Sequence, residues 1–139
     1  MNRIIKFRGK AVLEEDDSVE LTDRIVKQGD WVHGNLVFTD NGTPYIVGEL
    51  VEVDVDYTAL HYWIPVDCVG QFTGLKDKNG VEIYEGDKLV ITQSFQVLDG
   101  EVIYYEDTAC YRLKIDEDEQ EVLWYLPKEM EVIGNIHEV

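Results

Sequence analysis

Basic residues, cysteine and proline are all scarce in this 139-residue chain, and each scarcity excludes something. Twelve Lys and Arg stand against 29 Asp and Glu, a formal net charge of −17. Binding a phosphate backbone by counterion release needs clustered cations, so direct nucleic-acid binding is not expected. The same acid excess repels anionic membranes and attracts basic partners. The two cysteines, Cys68 and Cys110, lie in apolar surroundings and outside any CxxC or CxxH pattern. The expectation is two reduced, buried thiols in a cytoplasmic protein. No apolar run is long enough to span a bilayer. Residues 1–8 carry charge and no apolar h-region, so no signal peptide is expected.

What is present reads as mainly β, a chain of short twisted strands and hairpins rich in aromatic and β-branched residues. Its length suits one compact domain and buries a core without disulfides. Residues 3–10 read as a strand, with Ile5 and Phe7 on one face and Ile4, Lys6 and Arg8 on the other. An acidic loop is expected over 11–28, its charge concentrated in Glu14-Glu15-Asp16-Asp17. Residues 31–38 and 45–50 read as a hairpin turned at Asn41-Gly42. Residues 50–56 alternate, with Val51, Val53 and Val55 on one face and Glu52, Asp54 and Asp56 on the other. Residues 56–62 suit one helical turn.

The densest local signal runs from Gly70 to Asp87. In Asp77-Lys78-Asn79-Gly80 the Asp stands first and the Gly fourth, which favours a type I turn with a bulged Gly80. A type I′ turn at Asn79-Gly80 is the alternative. Gly86 stands third in Tyr84-Glu85-Gly86-Asp87, as a type II turn requires. Beyond it, strands are expected over 88–98, 101–105, 109–115, 122–126 and 132–139. They are separated by a turn at Asp99-Gly100, an acidic tip at 116–121 and a 3-10 turn at 127–130. Five short strands with a helical turn before the fifth is the element order of a small SH3-like barrel. The expected organisation is therefore an N-terminal β subdomain over 1–68, a hairpin junction over 69–87 and an SH3-like subdomain over 88–139, together one compact unit.

Catalytic and metal signatures are weak. Aligned on Gly80, a calcium loop would need Asp at position 75 and a bidentate Glu at 86, where Leu75 and Gly86 stand. Glu52, Asp54 and Asp56 share a strand face at a spacing of about 7 Å, too wide for one cation. On an exposed edge such charges suppress strand pairing. His33, His61 and His137 lack the spacing of paired metal ligands. No nucleophile elbow, GxGxxG or P-loop occurs. No catalytic residue, cofactor or metal is expected, and enzyme activity is not.

Trp31, Trp63 and Trp124 read as core anchors. Tyr104, Tyr105, Tyr111 and Tyr125 fall on neighbouring strands and could form a ladder. Together with the carboxylates, Tyr104 and Tyr105 form the candidate interaction surface. The clustered acid has two readings. It is a solubilising surface, or it mimics nucleic acid and captures a basic protein. An enzyme site assembled from dispersed carboxylates and histidines is a further alternative. Arg3, Lys6, Arg8 and Lys10 are expected to pair with acidic surface on this chain or a neighbour.

Four segments resemble one known family. They are Ile5-Lys6-Phe7-Arg8-Gly9-Lys10, Asp30-Trp31-Val32-His33-Gly34-Asn35-Leu36, the block over 69–90, and Val132-Ile133-Gly134-Asn135-Ile136-His137-Glu138. Their order and the central Gly-Gln-Phe-Thr-Gly-Leu-x-Asp-x-x-Gly resemble the YopX-like family of phage and prophage proteins. His33 stands where Tyr is common, and 11–28 and the tip near Asp116 look variable. The motif positions are Trp31, Gly34, Gly70, Phe72, Gly74, Asp77, Gly80, Gly86, Asp87 and Gly134, all with structural roles. The resemblance implies a bacterial cytoplasm and a homo-oligomer, and carries over no catalytic residues; a protein partner is expected of a non-enzymatic interaction or assembly module.

Overall fold

A computed structural model describes residues 4–21, 24–52, 59–117, 119–123, 125 and 127–138, with side chains omitted at 49–52, 59–62, 121 and 122. The chain is mainly β. The strands are β1 (Phe7–Ala11), β2 (Ser18–Glu20), β3 (Ile25–Lys27), β4 (Trp31–Phe38), β5 (Pro44–Glu52), β6 (Ala59–Lys76), β7 (Glu82–Tyr84), β8 (Asp87–Gln93), β9 (Gln96–Tyr105), β10 (Cys110–Lys114), β11 (Gln120–Val122) and β12 (Met130–Asn135). A 3-10 turn, Pro127–Glu129, precedes the last. There are two compact units. The first is Ile5–Gln71 and the second is built on the chain from Phe72 onward.

In the first unit every pairing is antiparallel, and the pairings close on themselves. β1 pairs with β4, β4 with β5, β5 with β6, and β6 with β1 again. A ring of four strands is a minimal barrel, with one face of each strand turned inward. Leu36, Ile46 and Ile64 stand side by side across β4, β5 and β6. They enter a core with Ala11, Val26, Val32 and Val66. Burying one such aliphatic side chain contributes about 1.5–3 kcal/mol. The expected strand over 3–10 is shorter, since Ile4 and Ile5 are exposed and precede β1.

Two expectations fail in this unit. Residues 11–28 are not simply a loop: β2 and β3 form a hairpin that carries Val19 and Val26 to the core. Alternation of apolar residues among the charges outweighs the acidity. Residues 59–62 do not make a helical turn. Ala59, Leu60 and His61 pair with Glu52, Val51 and Leu50; residues 56–58 lie outside the described part.

The second unit is a five-stranded antiparallel sheet in the order β11-β10-β9-β8-β12, with β7 paired to the end of β6. The final strand, after the 3-10 turn, pairs with β8, the sheet's first strand. This is the element order expected of the C-terminal part. Leu89, Ile91, Val102, Leu113 and Met130 are fully buried in its core. Residues 72–87 belong here rather than to a separate junction, because Leu75 and Ile83 pack into the same core.

The β8–β9 hairpin turns at Ser94-Phe95, not at Asp99-Gly100. Gln93 pairs with Gln96, and the ladder continues to Lys88 and Glu101. Gly100 is therefore mid-strand. A Cβ there would collide with the carbonyl of Lys114, so its lack of a side chain lets β9 and β10 approach. The inward alternation of Leu98, Gly100 and Val102 outweighs the local turn signal. Similarly, β11 starts at Gln120 within the expected acidic tip, and β12 ends at Asn135.

Candidate interaction surface

The ring of the first unit has an outer face as well as an inner one. The register that turns Leu36, Ile46 and Ile64 inward turns two other rows outward. One row is Val37, Tyr45 and Pro65; the other is Asn35, Val47 and Trp63. Five of these six side chains are apolar or aromatic. Trp63 is 53 % exposed, and its ring lies 6.1 Å from that of Tyr45, tilted by 59°. Tilted aromatic pairs at this distance are favourable. This corrects the expectation that Trp63 is a core anchor: its two strand neighbours on the inner face, Ile64 and Val66, fill that space. Trp124 lies outside the described residues.

Trp31 stands at the start of β4, paired with Lys10 of β1. The Arg8 guanidinium lies 4.5 Å from the Trp31 ring centre and the Lys10 ammonium 5.5 Å from it. Arg8 is buried. So two of the four N-terminal cations serve cation–π contacts rather than a surface array. His33 is exposed on the same strand.

The residues of the expected surface fall in both units. Glu52 ends β5 in the first unit, and Asp54 and Asp56 lie outside the described residues. Tyr104 and Tyr105 sit on β9 of the second unit and point to opposite faces. Tyr104 makes an edge contact with Tyr111 at 5.2 Å, while Arg112 lies 5.5 Å over Tyr105. Tyr125 is buried in the core. There is a tyrosine pair rather than a four-membered ladder. A separate groove of about 260 Å³ is lined by Lys88, Glu101, Ile115, Ile133 and Ile136 among others.

The motif residues are placed as scaffold. Gly34 passes close to the backbone of Val47 on β5, Gly70 pairs with Arg8, and Gly74 lies within β6. Phe72 and Tyr84 rings pack 5.5 Å apart. The Gly86 amide donates to Val102 O and its carbonyl accepts from Ile136 N. Buried Asp87 accepts from the Tyr84 amide at 2.7 Å, and Gly134 marks the bulge of β12.

Asp77 is the most connected of them. Its Oδ1 accepts from the amides of Asn79 and Val81 at 2.8 and 2.9 Å, and its Oδ2 from Val132 at 2.9 Å. Burial pushes this carboxyl up, but the three amides and the Lys78 ammonium outweigh it and hold it below the ordinary carboxylate range. The Gly80 amide donates to Asp77 O at 3.0 Å, and Gly80 has φ of +79°. That is the type I turn with a bulged glycine. Both cysteines are free and half-buried. Burial, then the neighbouring Asp67 carboxylate, pushes the Cys68 thiol up.

Among the described residues no three His, Cys, Asp or Glu side chains converge on a metal-sized site, and no helix is long and apolar enough to cross a membrane. The exposed aromatic face was missed by sequence reading, though a signal existed. Tyr45-Ile46-Val47 and Trp63-Ile64-Pro65-Val66 are apolar on both strand faces, and only one face can point into a ring this narrow.

The geometry defines a small, mainly β protein that carries an exposed apolar and aromatic patch on an otherwise acidic chain. The chain matches the model of the YopX protein family over residues 13–139 and belongs to that family. No curated protein matches it. The matched span takes in Trp31, the central Gly-Gln-Phe-Thr-Gly-Leu block and the C-terminal Gly134 segment, and leaves out Ile5–Lys10.

Proposed function

We propose that this YopX-family chain is a non-enzymatic protein-interaction module, encoded by a phage or prophage and acting in the cytoplasm of a bacterial host. The carrying observation is the outer face of the first unit, where Trp63 is half exposed against Tyr45. Exposed aromatic clusters on monomers mark interaction sites, and tryptophan and tyrosine dominate binding energy at interfaces. Self-assembly into a homo-oligomer is part of the same proposal, because proteins of this size gain repeated surfaces by symmetric association.

The test is affinity capture from prophage-carrying cells, with wild-type chain and Trp63→Ala as paired baits and quantitative mass spectrometry as readout. A defined set of proteins retained by the wild type and lost by the variant supports the reading. Identical retention by both baits, or none above a bare matrix, sinks it. Size-exclusion chromatography with light scattering reports the oligomeric state.

A further inference from the structure

The face that carries Trp63 sits in an acidic setting. Residues 5–71 hold thirteen Asp and Glu against five Lys and Arg. Two of those five, Arg8 and Lys10, are drawn onto the Trp31 ring. Asp67 is exposed on β6, two residues beyond Pro65 and so on the same strand face. Asp40 is exposed at the β4–β5 turn. The patch is thus an apolar centre flanked by the exposed Asp67 and by Asp40 at the turn, on a unit with a large acid excess.

We propose that this outer face docks an extended, cationic segment of another protein, seating one aromatic or aliphatic side chain against Trp63 and Tyr45 while flanking Lys or Arg meet the surrounding carboxylates. The inference rests on the interaction-module reading and names its partner's chemistry. The apolar centre supplies affinity, as buried aromatic anchors do. The carboxylates supply encounter rate and selection against anionic partners. Nucleic acid is repelled by this field, and a second copy presenting the same acidic face meets like charge here, which leaves self-assembly to other surfaces.

The experiment pans the full chain against a display library of random dodecapeptides at low salt, then measures synthetic winners by fluorescence anisotropy. Winners should combine Lys or Arg with Phe, Trp, Tyr or Leu, and should weaken severalfold as NaCl rises from low to physiological concentration. Trp63→Ala and Tyr45→Ser should each weaken binding by about tenfold or more, with circular dichroism confirming that both variants are folded. Phe95→Ser, in the other unit, should bind as wild type. Winners without basic residues overturn the proposal, as does undiminished binding by folded variants of both Trp63 and Tyr45. Binding lost in Phe95→Ser instead overturns it but leaves the module reading standing, which fails only if the cellular capture is empty or indifferent to Trp63. A dimer in light scattering that Trp63→Ala dissolves also overturns it, by assigning the face to a second copy.

Discussion

Asp77 Oδ2 accepts the amide of Val132 at 2.9 Å, across 55 positions of sequence. β12 is an edge strand of its sheet, and this bond takes one of its outward amides. The next residue of the turn completes the cover: the Lys78 amide donates to Met130 O at 3.0 Å, and the Lys78 ammonium lies 3.0 Å from Glu131. A hairpin turn thereby ties off a strand edge that would otherwise be open to pairing. Asp77→Ala leaves three backbone amides without their charged acceptor. The expected loss is about 3 kcal/mol or more, given 1.5–3 kcal/mol for a hydrogen bond to a charged group. Urea unfolding measures it; a loss under about 1 kcal/mol would show the bond to be incidental.

The same carboxyl sets a pH dependence. Its folded-state value is held below the ordinary one. Its contribution is therefore complete above the unfolded-state value, about 3.9 for Asp, and is lost as pH falls through the lower folded value. Asp77→Asn should flatten the stability profile below about pH 4 relative to wild type. Parallel urea titrations from neutral to acid pH check this, and equal slopes for the two proteins would refute it.

Two glycines in the second unit should respond differently to alanine. Gly100→Ala drives a Cβ into the Lys114 carbonyl between two paired strands, and overpacking of this kind costs about 1–3 kcal/mol, occasionally more. Gly80→Ala meets nothing within 4 Å and suffers only its φ of +79°, worth about 1 kcal/mol. Thermal unfolding should rank Gly100→Ala as the more damaging. The reverse order would place the β9–β10 approach elsewhere.

The hairpin tip gives a gain-of-stability prediction. Phe95 is 100 % exposed, and among described non-glycine residues only Cys68 and Ala109 have positive φ. So Ser94-Phe95 turns the hairpin without the primed geometry that two-residue loops prefer. Replacing the pair by Asn-Gly should raise stability by about 0.5–1 kcal/mol. The same replacement would be neutral or harmful if the turn lay at Asp99-Gly100.

Cys68 should be a slow nucleophile. Burial and Asp67 raise its thiol above the ordinary cysteine range, and only the thiolate reacts. Iodoacetamide labelling followed by peptide mass spectrometry should show Cys68 little modified at neutral pH and labelling faster above pH 9. Rapid labelling at pH 7 would contradict this.

Local chemistry was legible in the sequence and non-local pairing was not. The turn at Asp77–Gly80 depends on four adjacent residues, and its Asp and Gly announce it. Asp77's hold on Val132 depends on folding across 55 positions, and nothing near Asp77 encodes it. The β1–β6 pairing that closes the ring is likewise distant in sequence, so the ring in the first unit was not foreseen. Asp99-Gly100 misled because a strong turn dipeptide also suits a crowded strand interior. Trp63 misled because composition assigns tryptophan to cores, whereas the register assigns it to the outside.

The closed pairing of β1, β4, β5 and β6 has a consequence for how this protein changes over time. At Tyr45, Ile46 and Val47 the backbone is paired on both edges, to β4 and to β6, and offers no open ladder there for an incoming strand to extend. Any contact made at those residues falls to side chains alone. Side chains on the outer face can be exchanged without disturbing the inward residues that hold the ring. The outer face can therefore drift from one relative to the next while the scaffold stays as it is.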